Sequence, residues 1–444
     1  MTEPPARALV CGFGRTGRAV ARVLASHGVA VRVTDRATAA ALGVDPGEWP
    51  GMELLLGEQA PDVLAGVDLV VPSPGVPGCD PVLSAAVTRG IVVASEIEVA
   101  FGFLACPLVA ITGTNGKSTT TTLVGLAFEA AGRRPFVGGN LGTPLVTAAD
   151  GDFDVAVAEV SSFQLEWTRR FRPVAAAVLN VTPDHLDRHA SFAEYRELKG
   201  RLFAAQQATD LAVANRDDAD ALALGRAAPG RLVTFGREPV AHGAFATATG
   251  VAVRLGDGEE RYDLGRTRLL GEHNRENVMA AALLARSLDV PPAALQHAID
   301  TMEPLPHRLA LVAERRGVRW YDDSKATNVG AAAKSLASLS GPLVLLAGGV
   351  DKGGDYAPLA AAACGKTRFA LLFGAAAERI AAALTAAGVP VRTVTTLAAA
   401  VEGAAAVASR GDAVVLAPAC SSFDMFTDYA ARGRAFRAAV EGLG

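Results

Sequence analysis

Within the run ITGTNGKSTTTT (111–122), Gly113, Gly116, Lys117 and Ser118 follow in the order Gly-x-x-Gly-Lys-Ser. A glycine turn that delivers a strand into a helix N-terminus aims backbone N–H groups at one point, which makes a phosphate cradle. Lys117 brings a compact positive charge for β- and γ-phosphate oxygens, and the Ser118 hydroxyl can ligate Mg2+. The longer phosphate-loop pattern would put its first glycine at position 111, which is Ile. Ile111 therefore reads as the incoming strand, and the turn is a shorter form that begins at Gly113.

Other polar groups stand where apolar runs end. FDVAVAEVSS carries Glu159 at a strand end near the phosphate turn; a Mg2+ ligand and a solvated edge carboxylate are the two readings. NVTPDHLDRH gathers Asp184, His185, Asp187 and His189. A His-x-x-x-His metal pair and a capped helix start both fit it, and the third ligand of a zinc site is absent. Lys199 follows on a helical stretch, where a lone lysine ordinarily reads as solvated. WYDDSKATN packs Asp322, Asp323, Ser324, Lys325, Thr327 and Asn328 behind a strand, a density that suits a ligand site better than a plain turn. LLAGGVDKGGDY offers Lys352 in a glycine-rich loop, and PACSSFDMF offers Ser421 and Ser422 ahead of a helix. Cys420, with no base beside it, reads as structural. GFGRTG (Gly12, Gly14, Gly17), with Asp35 further on, matches the dinucleotide fingerprint. That fingerprint specifies a backbone that approaches a phosphate-rich ligand; it does not specify hydride transfer.

Half of the 444 residues are hydrophobic and 20% are charged, as expected of roughly two to four folded domains. A net charge of −4 provides no electrostatic footprint for nucleic acid. The five cysteines lack metal-ligand or C-x-x-C spacing, which points to a reducing, cytoplasmic setting. MTEPPARALVCGFG lacks the basic-then-apolar order of a secretory signal, and runs such as FGFLACPLVAI fall short of the roughly 20 residues of a membrane span. Of the 42 basic Lys and Arg residues, only Lys117, Lys199, Lys325, Lys334, Lys352 and Lys366 are lysines. A lysine retained in so arginine-biased a chain is a candidate for chemistry that needs an amine able to lose its proton; for any one of them, random residue choice is the alternative.

These groups need elements to position them. ALVC, the helical RAVARVLASHG and AVRVTD form a β-α-β unit around GFGRTG, and VDLVVPSPGVP and GIVVASEIEVA complete that segment near residue 100. PLVAITG leads into the phosphate turn and the helix STTTTLVGLAFEAAG. FVGGNLGTP, the strands DVAVAEVSS and AAAVLNVTPDHLDRH, and a helix through SFAEYRELKGRLFAAQ come next. Residues 231–270 read as short, glycine-broken strands, and GEHNRENVMAAALLARSLDV as a helix with Asn277 early in it. EPLPHR (303–308) marks a boundary. Beyond it VRWYDD, GPLVLLAGG, FALLFG and DAVVLAPA alternate with Ala-rich helices such as AAERIAAALTAAG. Such alternation predicts an α/β chain of mostly parallel sheets with ligands at the C-terminal strand ends.

In chain order, GFGRTG, SPGVP, TGTNGKST, GGNLG, EVSSFQLE, NVTPDHLDRH, YRELK, HNRENVMAA, PHR, DDSKATN, GGVDK and PACSSFDMF resemble the Mur ligase family of ATP-dependent amide-forming enzymes. The resemblance runs over essentially the whole chain. DDSKATN and SSFQLE are most similar to the members that add D-glutamate, and no DNPR stretch of the diaminopimelate-adding members occurs. The resemblance implies three domains: an N-terminal Rossmann-like domain (1–104), a central P-loop mononucleotide-binding parallel sheet (105–304) and a C-terminal Rossmann-like domain (305–444). It implies that Gly14, Arg15, Thr16, Asp35, Arg36, Ser73 and Gly75 hold the UDP end of the acceptor, and that Asn140, Ser161 and Gln164 touch its muramoyl-alanine part. ATP would lie on Gly113, Thr114, Asn115, Gly116, Lys117, Ser118 and Thr119, with Asn277 near the adenine and Arg308 and Asp323 as further nucleotide contacts. Thr327, Lys352, Ser422 and the backbone at Phe423 would hold D-glutamate. Two Mg2+ sites are implied, with Ser118, Glu159, His185 and a carbamylated Lys199 as ligands, and Lys325 as a stabiliser of phosphate charge. The implied reaction adds D-glutamate to UDP-N-acetylmuramoyl-L-alanine through an acyl phosphate, in cytoplasmic peptidoglycan precursor synthesis. No nucleic acid partner and no transmembrane segment are expected, a monomer is the expected state, and closure of the third domain is expected to assemble the site.

Overall fold

Short apolar runs bounded by Gly, Pro, Asp and Asn form the strands, and the Ala-rich stretches between them form the covering helices. The computed structural model describes residues 5–57, 61–186, 188–256, 258–351 and 353–443; Asp187 and Lys352 of the expectations above lie outside them. The strands make three sheets.

The first sheet holds β1 (Arg7–Cys11), β2 (Ala30–Asp35), β3 (Glu53–Leu56), β4 (Leu69–Pro72) and β5 (Val92–Val93) in the order β3-β2-β1-β4-β5, all parallel. The helix Arg15–Ser26 leaves β1 and buries Val20, Val23 and Leu24. The helix Glu96–Phe103 closes this segment.

The second sheet holds β6 (Leu108–Thr112), β7 (Pro135–Gly139), β8 (Val155–Glu159), β9 (Ala175–Val178), β10 (Leu211–Asn215), β11 (Arg231–Gly236), β12 (Gly243–Ala246), β13 (Gly250–Arg254) and β14 (Glu260–Asp263). Its order is β14-β13-β12-β11-β10-β9-β6-β8-β7; the β12–β13 and β13–β14 pairs are antiparallel and the rest parallel. The chain leaves β6 toward one edge of the sheet and returns past it from β8 to β9. The strand order thus reverses at β6, the kind of point at whose C-terminal end open α/β sheets bind ligands. The phosphate turn begins there.

The third sheet holds β15 (Ala310–Arg315), β16 (Val318–Asp322), β17 (Leu343–Gly348), β18 (Thr367–Phe373), β19 (Val391–Thr393) and β20 (Ala413–Leu416) in the order β15-β16-β20-β17-β18-β19. Only β15 runs antiparallel, joined to β16 by a two-residue turn in which Arg316 and Gly317 both have positive φ (53° and 75°). Leu343, Leu345 and Ala347 of β17 enter one core layer, and Val344 and Leu346 the other, so helices cover both faces.

The chain divides into two compact units. One comprises Met1–Val181, Ala193–Asp263 and Asn277–Ile299; the other comprises Thr182–Phe192, Leu264–Glu276 and Asp300–Gly444. The structure adds strands β3, β10, β15 and β19, which are too short or too ambiguous in pattern to read from sequence. It also ends the helix that carries Lys199 at Gly200, where the expectation ran to Gln206. Tighter i→i+3 bonds, such as Leu202 N to Lys199 O and Phe203 N to Gly200 O, replace the helix there.

Candidate active site

The phosphate turn needs glycine for geometric reasons. Gly113 and Gly116 have φ of +152° and +88°, and a Cβ at Gly116 would lie 2.2 Å from Asn277 Oδ1. This close approach places Asn277, from the helix Glu272–Arg286, against the turn. Lys117 opens the helix Lys117–Ala130, which buries Ser118 and Thr119 in its first turn. Lys117 Nζ donates to the carbonyls of Gly113 (2.8 Å) and Thr114 (2.9 Å). From the loop after β9, Asn180 clamps the turn. Asn115 N donates to its Oδ1 at 2.8 Å, its Nδ2 donates to Asn115 O at 3.0 Å, and Thr114 N donates to its carbonyl at 2.9 Å.

Glu159, at the end of β8, is buried beside this turn; of the two sequence readings, a solvated edge carboxylate is excluded. Ser118 Oγ donates to its Oε2 at 2.5 Å and Asn140 Nδ2 to its Oε1 at 2.6 Å. A hydroxyl and a carboxylate at a phosphate turn form an all-oxygen donor set, which suits Mg2+. Lys199 departs from the solvated-lysine reading altogether. It is 1% exposed, its Nζ donates to Gly113 O at 2.9 Å, and it lies 4.4 Å from the Tyr195 ring centroid. The Tyr195 hydroxyl is 3.1 Å from Thr114 Oγ1, so this helix supports the turn from below.

A cleft of about 490 Å³ opens beside the first sheet. Gly14, Arg15, Thr16, Asp35, Ser73 and Gly75 line it from one side, and Asn140 and Gln164 from the other. The three glycines of GFGRTG divide the work. Gly12 (φ +88°) makes the turn; a Cβ at Gly17 would lie 1.9 Å from Gly12 O; a Cβ at Gly14 would meet nothing within 4 Å, so that position faces open space. Asp35 spends its carboxylate on the backbone, accepting from Phe13 N (2.6 Å) and Ala37 N (2.8 Å). Ser73 Oγ donates to Gly12 O at 2.9 Å. Arg36 reaches the buried Asp80 at 2.7 Å. Ser161 caps the short helix Ser162–Leu165 through a reciprocal box with Gln164.

The second compact unit holds the remaining candidates. Burial pushes the Asp323 carboxyl up to about 7, although it accepts from Ser335 Oγ and Leu309 N and lies near the Arg308 charge. Asp322 pairs with His307 Nδ1 at 2.6 Å, and Lys325 N donates to His307 O at 3.0 Å. Lys325 Nζ lies 4.2 Å from the Tyr429 ring centroid. Thr327 sits in the loop before the helix Val329–Ser338, whose N-cap Asn328 donates to Asp184 Oδ2 at 3.0 Å. His185, next to Asp184, has φ +55°, and its Nε2 is 3.8 Å from the Asp184 carboxylate. Ser422 is buried and Phe423 exposed in the loop after β20.

Asn180 and His307 stand inside the motifs NVTPDHLDRH and PHR with no role of their own in the sequence, and Asp322 has only a place in the polar cluster of WYDDSKATN. Their signal was position, since each lies at or near a strand end inside a polar cluster. Arg432 and Glu96 carried no local signal.

A strand-order reversal that carries a glycine turn with Lys and Ser defines a multi-sheet α/β protein of the phosphate-loop class. Comparison with known proteins narrows this. The family signature described as "Mur ligase middle domain" matches residues 111–285, "Mur ligase, glutamate ligase domain" matches 307–420, and "Mur ligase MurD-like, N-terminal domain" matches 6–95. A UDP-N-acetylmuramoylalanine--D-glutamate ligase from Geobacter metallireducens is 47% identical over 98% of this chain and 97% of its own. One from Myxococcus xanthus is 44% identical over 98% of each. Among solved structures, a pseudomurein peptide ligase type C from Methanothermus fervidus superposes with a TM-score of 0.66 at 18% identity, covering 98% of this chain and 99% of its own. The UDP-N-acetylmuramate-alanine ligase of Thermotoga maritima does so with 0.62 at 18% identity and the same coverage. The chain belongs to the Mur ligase family.

Proposed function

We propose that this protein is an ATP-dependent ligase that joins D-glutamate to UDP-N-acetylmuramoyl-L-alanine through an acyl phosphate, in cytoplasmic peptidoglycan precursor synthesis. The observation that carries this reading is the near full-length similarity to ligases of that name, at 43–47% identity. No helix among the described residues is long and apolar enough to cross a membrane.

In this reading the first 104 residues hold the UDP end, with Arg36 at the edge of the glycine-lined cleft. Residues 105–304 hold ATP, and residues 305–444 hold D-glutamate and add nucleotide contacts from Arg308 and Asp323. Asn140, Ser161 and Gln164 meet the muramoyl-alanine part. Thr327, Ser422 and the Phe423 backbone, with Lys352, bind the amino acid. Ser118 and Glu159 would hold Mg2+, with His185 and a carbamylated Lys199 as the proposed ligands for a second ion; bound there, the metal would neutralise phosphate charge. A carbamate needs an amine, so no arginine can replace Lys199 in this role.

The residues then act by positioning. The phosphate turn fixes the γ-phosphate by its backbone N–H groups, and Lys117 offsets its charge. The alanyl carboxylate of the acceptor, oriented by Asn140 and Gln164, attacks the γ-phosphorus and ADP departs. The D-glutamate amine, once deprotonated, attacks the acyl carbon, and phosphate leaves with its charge balanced by Lys325. Phosphate release measured across UDP-muramoyl acceptors and amino acids tests the reading. Release is expected only with UDP-N-acetylmuramoyl-L-alanine and D-glutamate together. Equal turnover with L-glutamate, or none with D-glutamate, would overturn it.

A further inference from the structure

We propose that Glu96, which does not line the cleft, is a positioning residue that fixes the polarity of the Gln164 amide and thereby sets what the cleft recognises beyond the UDP moiety. The inference rests on the functional reading above.

Glu96 is 1% exposed at the start of its helix. Both of its oxygens accept. Val146 N donates to Oε1 at 2.7 Å and Gln164 Nε2 to Oε2 at 3.3 Å. The other end of the Gln164 amide is equally constrained, since Oε1 accepts from Ser161 N and from Ser161 Oγ, both at 3.0 Å. An amide whose nitrogen faces a carboxylate and whose oxygen faces two donors cannot be inverted without setting donor against donor. The amide nitrogen has two hydrogens, and one goes to Glu96. The other is the group that Gln164 can offer the cleft, so the matching ligand atom is an acceptor, a carbonyl or carboxylate oxygen. Val146 follows closely on Asn140 in the chain. One buried carboxylate therefore holds both central-sheet segments that line the cleft, and it does so from the last helix of the first segment.

Carboxylate chemistry is required here because a glutamine at position 96 has one acceptor and one donor. It can satisfy Val146 N or Gln164 Nε2, but not both, and it permits the inverted amide. Exchanging both residues, Glu96→Gln with Gln164→Glu, restores every donor–acceptor pair within the protein. Val146 N then donates to the amide oxygen at 96, the amide nitrogen at 96 donates to the carboxylate at 164, and Ser161 donates to that carboxylate too.

The test is calorimetric binding to the full chain, with UDP-N-acetylmuramoyl-L-alanine, UDP alone and ATP as separate probes, alongside thermal midpoints. In Glu96→Gln, affinity for UDP-N-acetylmuramoyl-L-alanine is expected to fall about tenfold or more, as a correctly oriented hydrogen bond becomes a repulsive one. UDP and ATP are expected to bind within about twofold of wild type, a selectivity that general misfolding does not produce. The double exchange is expected to recover the thermal midpoint lost in Glu96→Gln while the acceptor still binds weakly. Binding of the acceptor by Glu96→Gln within twofold of wild type, equal losses for all three probes, or no thermal recovery in the double exchange would each overturn the proposal. If wild-type protein fails to bind the acceptor, the functional reading fails, and the thermal coupling between 96 and 164 still decides the positioning claim.

Discussion

Arg432 is a buried cation that forms no ion pair among the described residues, and replacing it by methionine puts a number on what it holds. It lies in the helix Tyr429–Glu441 at 0% exposure. Its Nε donates to Ser324 Oγ at 2.9 Å, Nη2 to Ser324 O at 2.9 Å and Cys420 O at 3.2 Å, and Nη1 more weakly to the carbonyls of Gly348, Cys420 and Ser421. Ser324 follows β16, Gly348 ends β17 and Cys420 follows β20, and these three strands are adjacent in the third sheet. One guanidinium thus ties together the strand ends beside Lys325, Thr327 and Ser422. Burial pulls its pKa down to about 10, so it stays charged at neutral pH. Methionine matches the stem but leaves the Ser324 and Cys420 carbonyls without these donors, at about 1–3 kcal/mol for each buried group left unsatisfied. Relief from burying a charge offsets part of that. The net expectation is about 3 kcal/mol, a large share of the roughly 5–15 kcal/mol that hold a domain folded. Trp320, 2% exposed and 6.4 Å from Phe436 of the same helix, reports on this unit once Trp49 and Trp167 are changed to Phe. With a urea slope of about 1–3 kcal/mol/M, the midpoint should drop by about 1–3 M. A shift worth less than about 0.5 kcal/mol would refute the reasoning, since the loops would then be held by other contacts.

Three further outcomes follow from particular contacts. Gly116→Ala forces a side chain into φ +88° and against Asn277 Oδ1, so affinity for a non-hydrolysable ATP analogue should fall about tenfold or more while far-UV circular dichroism stays unchanged. Asp323 holds its proton in the folded state up to about pH 7, against 3.8 for an ordinary aspartate carboxyl, so its contribution is fully present at low pH and is lost as pH rises between those two values. The stability of wild type relative to Asp323→Asn should therefore decline by a few kcal/mol between about pH 4 and 7 and then level off; parallel urea midpoints by Trp320 fluorescence check this, and a flat difference counts against it. Lys199→Arg keeps the charge but cannot be carbamylated; phosphate release should fall about a hundredfold or more, and wild-type activity should drop when bicarbonate is stripped from the buffer.

How much of the site could be read in advance depended on whether its groups are covalent neighbours. The turn from Gly113 to Ser118 was legible because strand, glycines, lysine and serine stand in one run, and the structure places them as read. Glu159 was half legible. Its place at a strand end was clear, but its burial with Ser118 and Asn140 required β8 to lie beside β6. The glycines of GFGRTG were legible as a tight turn, whereas their union with Asn140 and Gln164 in one cleft was not.

The sequence by itself determined the alternation of strand and helix, the phosphate turn and the clusters at strand ends. Apolar periodicity, glycine dihedrals and helix starts are properties of a few consecutive residues. Only the tertiary structure decided that Lys199, an ordinary helical lysine in the sequence, lies buried against Gly113 O, that Glu96 orients Gln164, and that Arg432 joins three strand ends. Each of these includes a hydrogen bond between groups 68 to 108 residues apart. A hydrogen bond over such a separation is set by which strands become neighbours and by what burial then demands of polar atoms, and neither condition leaves a local pattern in the chain.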